Sequence, residues 1–327
     1  MSLLSVRDLS ITYSTQGGPV PAVRGVSFDI DKGEVLGLAG ESGCGKSTVV
    51  NAIMRLLPVK TSVTGEVLLN GEDILAMPPG RLRAVRWSAV SVVFQGAMHA
   101  LNPVQRIGDQ IAEAIVVHGQ AGEREAIMRA GALLEEVGLP ARRLRDYPHE
   151  LSGGQKQRVM IAMALACSPS LIIADEPTTA LDVMVQAQVL KLLNELQHEL
   201  GLAMLFITHD LSVLVEVCDR LAIMYAGKIV EEGPSQQVFG DPAHPYTRAL
   251  AGAFPAIGDE RFRMAPSGLG GDPPQPEAIP SGCPFHPRCP LAFDACPTVV
   301  PDLYRAGEDR RAACLLVEES PFVTADR

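Results

Sequence analysis

"EVLGLAGESGCGKSTVVNAIMRLL", residues 34–57, is an apolar run that passes through a glycine-rich stretch into a helical pattern closed by Pro58. The opening "EVLGLAG" reads as a buried strand and "KSTVVNAIMRLL" as a helix. Between them, residues 40–48 satisfy the spacing G-x4-G-K-S/T. Small residues in succession let backbone N–H groups wrap an oxyanion, and the start of the helix adds its positive end. Gly40, Ser42, Gly43, Cys44, Gly45, Lys46, Ser47 and Thr48 make up the cradle. Lys46 supplies a point charge for the β- and γ-phosphates and Ser47 a hydroxyl for Mg²⁺. Cys44 occupies a variable position of the loop and reads as filler within it.

The surrounding chain alternates strand and helix. Residues 3–12 and 26–30 read as strands around a Gly/Pro-bearing turn, and "GEVLLNG" and "VSVVF" as further strands. From about 104 to 167 the pattern is helical, with apolar residues three and four apart in "IGDQIAEAIVVHG" and "EREAIMRAGALLEEVG". "LIIAD", a helix near 183–200, "AMLFIT", a short helix, "RLAIMYAG" and "KIVEEG" follow. Such alternation predicts an α/β fold with a mostly parallel sheet and helices on its faces. Beyond residue 255 the character changes: 11 of the chain's 25 prolines fall in 255–301, which suggests an irregular linker and a small, separately held unit.

Composition narrows the class. The chain has 327 residues, 47% hydrophobic and 20% charged, with a net charge of −10. That charge opposes a general affinity for nucleic acid or anionic lipid. No stretch approaches the roughly 20 apolar residues of a membrane span, and "MSLLSVRDLS" lacks the pattern of a secretory signal. Seven cysteines without such a signal favour a metal site or free thiols over a disulfide framework.

Two more motifs give the cradle its chemistry. "LIIADEP", 171–177, is an apolar strand ending in two carboxylates: Asp175 suits Mg²⁺, directly or through water, and Glu176 suits a general base that polarises the attacking water. With the phosphate loop, this pair specifies a nucleoside triphosphatase. "LSGGQKQR", 151–158, places Ser152, Gly153, Gly154 and Gln155 at a helix start, which by itself reads equally as a plain cap with a flexible glycine pair and, under the resemblance these motifs carry, as a second anion site.

Together these motifs make residues 3–250 resemble the ATP-binding cassette family. The resemblance implies an N-terminal antiparallel β subdomain, a mostly parallel core sheet and an inserted helical subdomain at about 96–167. It also implies roles for single residues. Tyr13 stacks on adenine, and Gln95 senses Mg²⁺ and the attacking water near the contact with membrane partners. Asp182 lies in the loop that signals between cassettes, and His209 is the switch histidine at the γ-phosphate. ATP in this family lies between the phosphate loop of one cassette and the signature segment of another, so the active unit is a head-to-tail dimer with a copy or a homologous second ATPase. Met98 and Leu101, beside Gln95, are expected in a groove that takes a short helix from a membrane subunit, with a core role for both left open.

The tail narrows the resemblance further. "FGDPAHPYTRALAGAFP", 239–255, and "GCPFHPRCPLAFDAC" after it look like the C-terminal extension of dipeptide, oligopeptide and nickel importer ATPases, which sets a cassette of residues 1–240 and an extension of 241–327. Gly96-Ala97 departs from the subfamily's usual Asp-Pro pair. The subfamily works at the cytoplasmic face of the membrane as a peripheral subunit, with two transmembrane permease subunits, an extracytoplasmic substrate-binding protein and no nucleic acid. Peptide is the expected cargo, with nickel or another small solute as the alternative. A ribosome-acting ATPase would carry two cassettes and a DNA-repair ATPase a long coiled coil or zinc insertion; the extension argues against an exporter. Cys283, Cys289, Cys296 and Cys314 have the spacing C-x5-C-x6-C-x17-C, with Pro284, Pro287, Pro290 and Pro297 stiffening the loops. So small an apolar content calls for a cross-link other than a core. The subfamily resemblance favours a 4Fe–4S cluster on these four cysteines, with Zn²⁺, drawing on His286, and free or paired thiols left open.

Overall fold

The computed structural model describes residues 2–94, 96, 100–179, 181–253 and 269–318. Its contacts divide it into two compact units.

The first unit is built mainly from Ala76–Ile207. Its elements are α2 (Pro79–Val85), β6 (Val90–Val93), α3 (Ile107–Val117), α4 (Glu123–Glu136), α5 (Gly153–Leu165), β7 (Leu171–Asp175), α6 (Val183–Leu200) and β8 (Ala203–Thr208). Strands β6, β7 and β8 run parallel, with Val90 opposite Leu171 and Leu171 opposite Ala203. Every residue of β7 and β8 is buried, the signature of a sheet covered on both faces. In α3 the spacing read from the sequence puts Ile107, Ile111, Ala114 and Ile115 inside and leaves Val117 outside. The start of α5 lies hard against α6. A Cβ added at Gly154 would stand 2.4 Å from Val185 Cγ1, so only glycine lets the two helices approach this closely.

The second unit contains Leu4–Asp29, Val35–Leu75 and the chain from Thr208 onward. Strands β1 (Leu4–Thr15), β2 (Gly18–Ile30), β4 (Ser62–Leu69) and β5 (Glu72–Asp73) form a sheet of order β2-β1-β4-β5, with β1/β4 and β4/β5 antiparallel. Strand β3 (Val35–Ala39) pairs parallel with β9 (Arg220–Tyr225) and leads into α1 (Lys46–Ile53). Helix α1 is shorter than the pattern suggested. It stops four residues before Leu57 because Arg55 takes a left-handed conformation (φ 50°) and the Leu56 N–H returns to the Asn51 carbonyl oxygen at 2.7 Å.

Not all of this unit's second sheet is parallel. Strand β10 (Lys228–Pro234) turns back antiparallel to β9 through Ala226 and Gly227, both at positive φ as a two-residue hairpin requires. The tail then joins the same sheet. Strands β11 (Tyr304–Arg305) and β12 (Arg311–Ala312) pair antiparallel, and β12 lies along β10 with Ala312 opposite Glu231. The sequence suggested a separately held unit; instead, β12 covers the edge of β10 that would otherwise stand open.

Helices α7 (Leu211–Val217), α8 (Ser235–Gly240), α9 (Pro245–Ala253) and α10 (Leu315–Glu318) complete the unit. Phe285, from the cysteine-rich stretch, is 1% exposed. Its ring packs 5.3 Å from Tyr225, 5.4 Å from Tyr246 and 5.9 Å from His244, so the tail finds its core in aromatic residues upstream. Beneath them Glu231 is fully buried, and its carboxylate accepts the N–H groups of Ala243 (2.8 Å) and His244 (2.9 Å). Burial raises its pKa against those hydrogen bonds. His244 accepts the Tyr246 N–H at Nδ1 (3.0 Å), and burial pushes its pKa down to about 4.

Two outcomes follow from this packing. Gly154→Ala should lower the stability of the full chain in urea, because a clash costing about 1–3 kcal/mol exceeds the roughly 1 kcal/mol that alanine adds to a helix. Adding Val185→Ala should reverse the loss; a Gly154→Ala chain as stable as wild type would show that Val185 gives way freely. His244 stays neutral in the folded chain to about pH 4 but protonates near 6.5 once unfolded. Its contribution is therefore complete above pH 6.5 and drains away as pH falls towards 4. The wild type should lose on the order of 3 kcal/mol more than a His244→Gln variant over that window. Parallel pH profiles for the two chains would refute the assignment.

Candidate functional site

Strand β3 delivers Gly40 to the top of the unit, where φ is 149° and a Cβ would meet the Met224 carbonyl oxygen at 2.2 Å. No side chain fits there. The loop that follows is held internally: the Lys46 ammonium donates to the carbonyl oxygens of Gly40 (2.6 Å) and Glu41 (3.0 Å). Lys46 is buried, whereas Ser42, Gly43 and Ser47 are exposed on the loop's outer side. Gly45 caps α1 with φ 108° and no side chain in the way, leaving the first helical N–H groups open.

The Cys44 thiol faces inward. It is buried, with its pKa raised by desolvation, and its carbonyl oxygen accepts the Gly227 N–H at 3.0 Å. Its sulfur takes a long contact from the Lys46 ammonium (3.5 Å), so within the cradle the Cys44 side chain touches the lysine from the buried side. The Tyr13 hydroxyl donates to Thr48 Oγ1 at 3.3 Å, which brings the aromatic ring beside the loop. His209 is exposed in the same unit, immediately after β8, and Asp210 caps α7 by accepting the Ser212 N–H at 2.9 Å.

The first unit carries the remaining residues. Asp175 ends β7 and is buried; Glu176 follows at a positive φ of 47°, where the extended backbone of the strand breaks off. The Glu176 N–H donates to the Ile207 carbonyl oxygen (2.8 Å), and its Oε2 accepts the Thr179 hydroxyl (2.9 Å). Ser152 caps α5 in a reciprocal box, its hydroxyl accepting the Gln155 N–H (3.4 Å) while Gln155 Oε1 accepts the Ser152 N–H (3.0 Å). Gly153 and Gly154 then form the helix's first turn. Asp182 is exposed and caps α6 by accepting the Val185 N–H at 3.0 Å. The close contact of Gly154 with Val185 ties the Ser152 segment to the Asp182 cap. Gln95, Ala97 and Met98 lie outside the described residues. Leu101 is 5% exposed, so the expected groove does not include it; it belongs to the core.

In the tail, Cys283, Cys289 and Cys314 are half-buried and Cys296 is buried, all as free thiols. They stand within electrostatic reach of one another: Cys283 feels the other three, and Cys314 feels Cys289 and Cys296. Burial raises Cys283, Cys289 and Cys314. Each also receives a backbone hydrogen bond from two residues on, Cys283 from Phe285, Cys289 from Leu291 and Cys314 from Leu316, which favours the thiolate. Among the described residues, however, no three His, Cys, Asp or Glu side chains form a group able to hold a metal ion. His286 turns its Nδ1 to the Cys283 carbonyl oxygen at 2.9 Å.

The sequence reading missed Glu41, Tyr246 and Arg288, which meet behind the phosphate loop. Only an acidic side chain at a variable loop position hinted at them.

Two family descriptions match the chain: "ABC transporter" over residues 23–179, and "Oligopeptide/dipeptide transporter, C-terminal region" over residues 230–296. The oligopeptide transport ATP-binding protein OppD of Escherichia coli is 45% identical over 92% of this chain and 89% of its own length. The dipeptide transport ATP-binding protein DppD of Bacillus subtilis is 42% identical over 97% and 95%. The OppD protein of Mycobacterium tuberculosis is 46% identical, and there this chain spans about half, 52%, of the relative's length. Among solved structures, a dimeric bacterial ABC transporter cassette matches 71% of this chain and 98% of its own with a TM-score of 0.64 and 30% identity. No helix among the described residues is long and apolar enough to cross a membrane. On its phosphate loop, its Asp-Glu strand, its capped Ser-Gly-Gly helix and these relatives, the chain belongs to the ABC transporter ATP-binding proteins that carry the oligopeptide/dipeptide C-terminal region.

Proposed function

We propose that this chain is the ATP-hydrolysing subunit of a peptide importer, working at the cytoplasmic face of the membrane with two permease subunits, a second cassette and an extracytoplasmic binding protein. One observation carries the reading. Relatives named for oligopeptide and dipeptide transport match the chain at 42–46% identity through both the cassette and its C-terminal region.

In this reading the amides of residues 42–48 and Lys46 hold the β- and γ-phosphates while the Tyr13 ring takes the adenine. The Ser47 hydroxyl, Gln95 and Asp175 would hold Mg²⁺, which would supply neutralisation of phosphate charge. Glu176 accepts a proton from the attacking water, and His209 contacts the γ-phosphate. Ser152, Gly153, Gly154 and Gln155 face a nucleotide bound mainly by the partner cassette, and Asp182 reports between the two. Residues 1–240 act as the cassette and 241–327 as the extension.

The four tail cysteines would hold a 4Fe–4S cluster. The supporting observation is that the four thiols gather in one place, Cys283 within electrostatic reach of the other three, with a backbone N–H turned to the sulfur at Cys283, Cys289 and Cys314; a cluster takes one thiolate at each of four irons. Such a centre would cross-link the tail, since no step of ATP hydrolysis requires an electron.

Two experiments test these roles. Glu176→Gln should keep nucleotide binding and lower hydrolysis by several orders of magnitude, whereas Lys46→Ala should weaken binding itself; a Gln variant turning over near the wild-type rate removes Glu176 from the role of base. Anaerobic purification of the full chain should yield roughly four irons per chain and a brown colour. A colourless chain with stoichiometric zinc would assign the cysteines to that metal instead.

A further inference from the structure

Glu41 belongs to the phosphate loop, yet residues of the C-terminal region hold it by both backbone and side chain. Its N–H donates to the Tyr246 hydroxyl oxygen at 2.9 Å. Its carboxylate accepts two parallel hydrogen bonds from Arg288, Nη1 to Oε2 at 2.7 Å and Nη2 to Oε1 at 2.9 Å. The pair is largely removed from solvent, with 7% of the Arg288 side chain and 21% of the Glu41 side chain exposed. Arg288 is itself fixed, its Nε donating to the Gly270 carbonyl oxygen (3.0 Å) and its guanidinium lying 5.9 Å from the centre of the Tyr225 ring. On the other side, the Glu41 carbonyl oxygen accepts from Lys46. A continuous chain of contacts thus runs from Arg288 through Glu41 to the lysine of the phosphate cradle. The proline-rich stretch of Pro273, Pro274 and Pro276 borders the same loop across a cavity of about 210 Å³ that Ser42 and Gly43 also line.

We propose that Arg288 is a positioning residue for nucleotide binding: through its fork on Glu41, the C-terminal extension fixes the phosphate loop and neutralises a carboxylate that would otherwise face the polyphosphate. This rests on the reading that residues 40–48 bind a nucleotide. Two features set the contact apart from an ordinary surface ion pair. A planar fork meeting a carboxylate in two parallel bonds fixes direction as well as distance. And because the pair is buried, removing Arg288 alone leaves an uncompensated negative charge in the loop that has to accept phosphates. The second feature sets the sign of the effect. Deleting Arg288 harms binding more than deleting both charges, whereas a merely structural bridge would lower stability and leave nucleotide affinity alone.

The test measures the nucleotide dissociation constant and, separately, the unfolding midpoint without nucleotide, for the full chain and its variants. Arg288→Met should weaken binding on the order of tenfold, and Arg288→Lys, which keeps the charge and loses the fork, should fall between it and wild type. Glu41→Gln should cost less, and Glu41→Gln with Arg288→Met should bind more tightly than Arg288→Met alone. Glu41→Gln lies away from the tail cysteines and reads the loop side by itself, so the comparison survives if Arg288→Met fails to fold. If Arg288→Met, Arg288→Lys and Glu41→Gln all bind within about twofold of wild type while Lys46→Ala loses binding, the positioning role is overturned and the nucleotide site stands. If Lys46→Ala binds as wild type does, the nucleotide reading itself falls, and this inference with it.

Discussion

A loop that grips an oxyanion with its own N–H groups has to turn them outward, and so cannot use them to hold itself in shape. Its rigidity has to be supplied from behind, through carbonyl oxygens, glycine contacts and the few amides that do not face the ligand. In this chain each of those is engaged. The Gly40 and Glu41 carbonyls take Lys46, the Cys44 carbonyl takes the Gly227 N–H, and Gly40 is pressed against Met224. The Glu41 amide, directed inward, goes to the Tyr246 hydroxyl. What backs the loop is thus the β9–β10 hairpin and the start of α9, two pieces of chain roughly two hundred residues further on.

That requirement explains the shape of the C-terminal region. A short, proline-rich segment cannot bury enough apolar surface to offset its own chain entropy. It is ordered by joining what already exists. Phe285 enters an aromatic cluster whose other rings belong to β9 and α9, β12 adds itself to β10, and Arg311 pairs with Glu232. Glu231 makes the join sensitive to one residue, since a buried carboxylate is tolerable only while two amides of the α9 start are aimed at it.

The sequence announced what depends on local pattern and concealed what depends on contacts distant along the chain. The phosphate loop, the Asp-Glu strand and the Ser152 cap were legible because each is a short string whose chemistry fixes its spacing. Helix α6 and strand β8 were legible from periodicity and apolar runs. The antiparallel return of β10 was not, because its hairpin uses Ala226 where turn chemistry leads one to expect asparagine or aspartate. The early end of α1 escaped because Arg55 carries no sequence mark of a left-handed residue. Glu41 and Arg288 escaped for a deeper reason: they are 247 positions apart, and nothing in either neighbourhood refers to the other.

The cysteines, finally, fall into two kinds, and the difference is physical. Cys44, Cys167 and Cys218 are buried in apolar surroundings or beneath a lysine, and desolvation pushes all three thiols up, away from thiolate and from reactivity. Those at 283, 289 and 314 are also desolvated, and each has a backbone N–H turned to its sulfur, as Cys44 has from Lys46; what sets them apart is that they stand within electrostatic reach of one another. Arg288 sits between these two worlds, one residue before Cys289 and two hydrogen bonds from the phosphate loop. The 3-10 turn His286–Arg288 that leads into Cys289 is the same turn that sets the direction of the guanidinium fork. Whatever holds Cys289 in place therefore also holds the side chain on which the carboxylate of the phosphate loop depends.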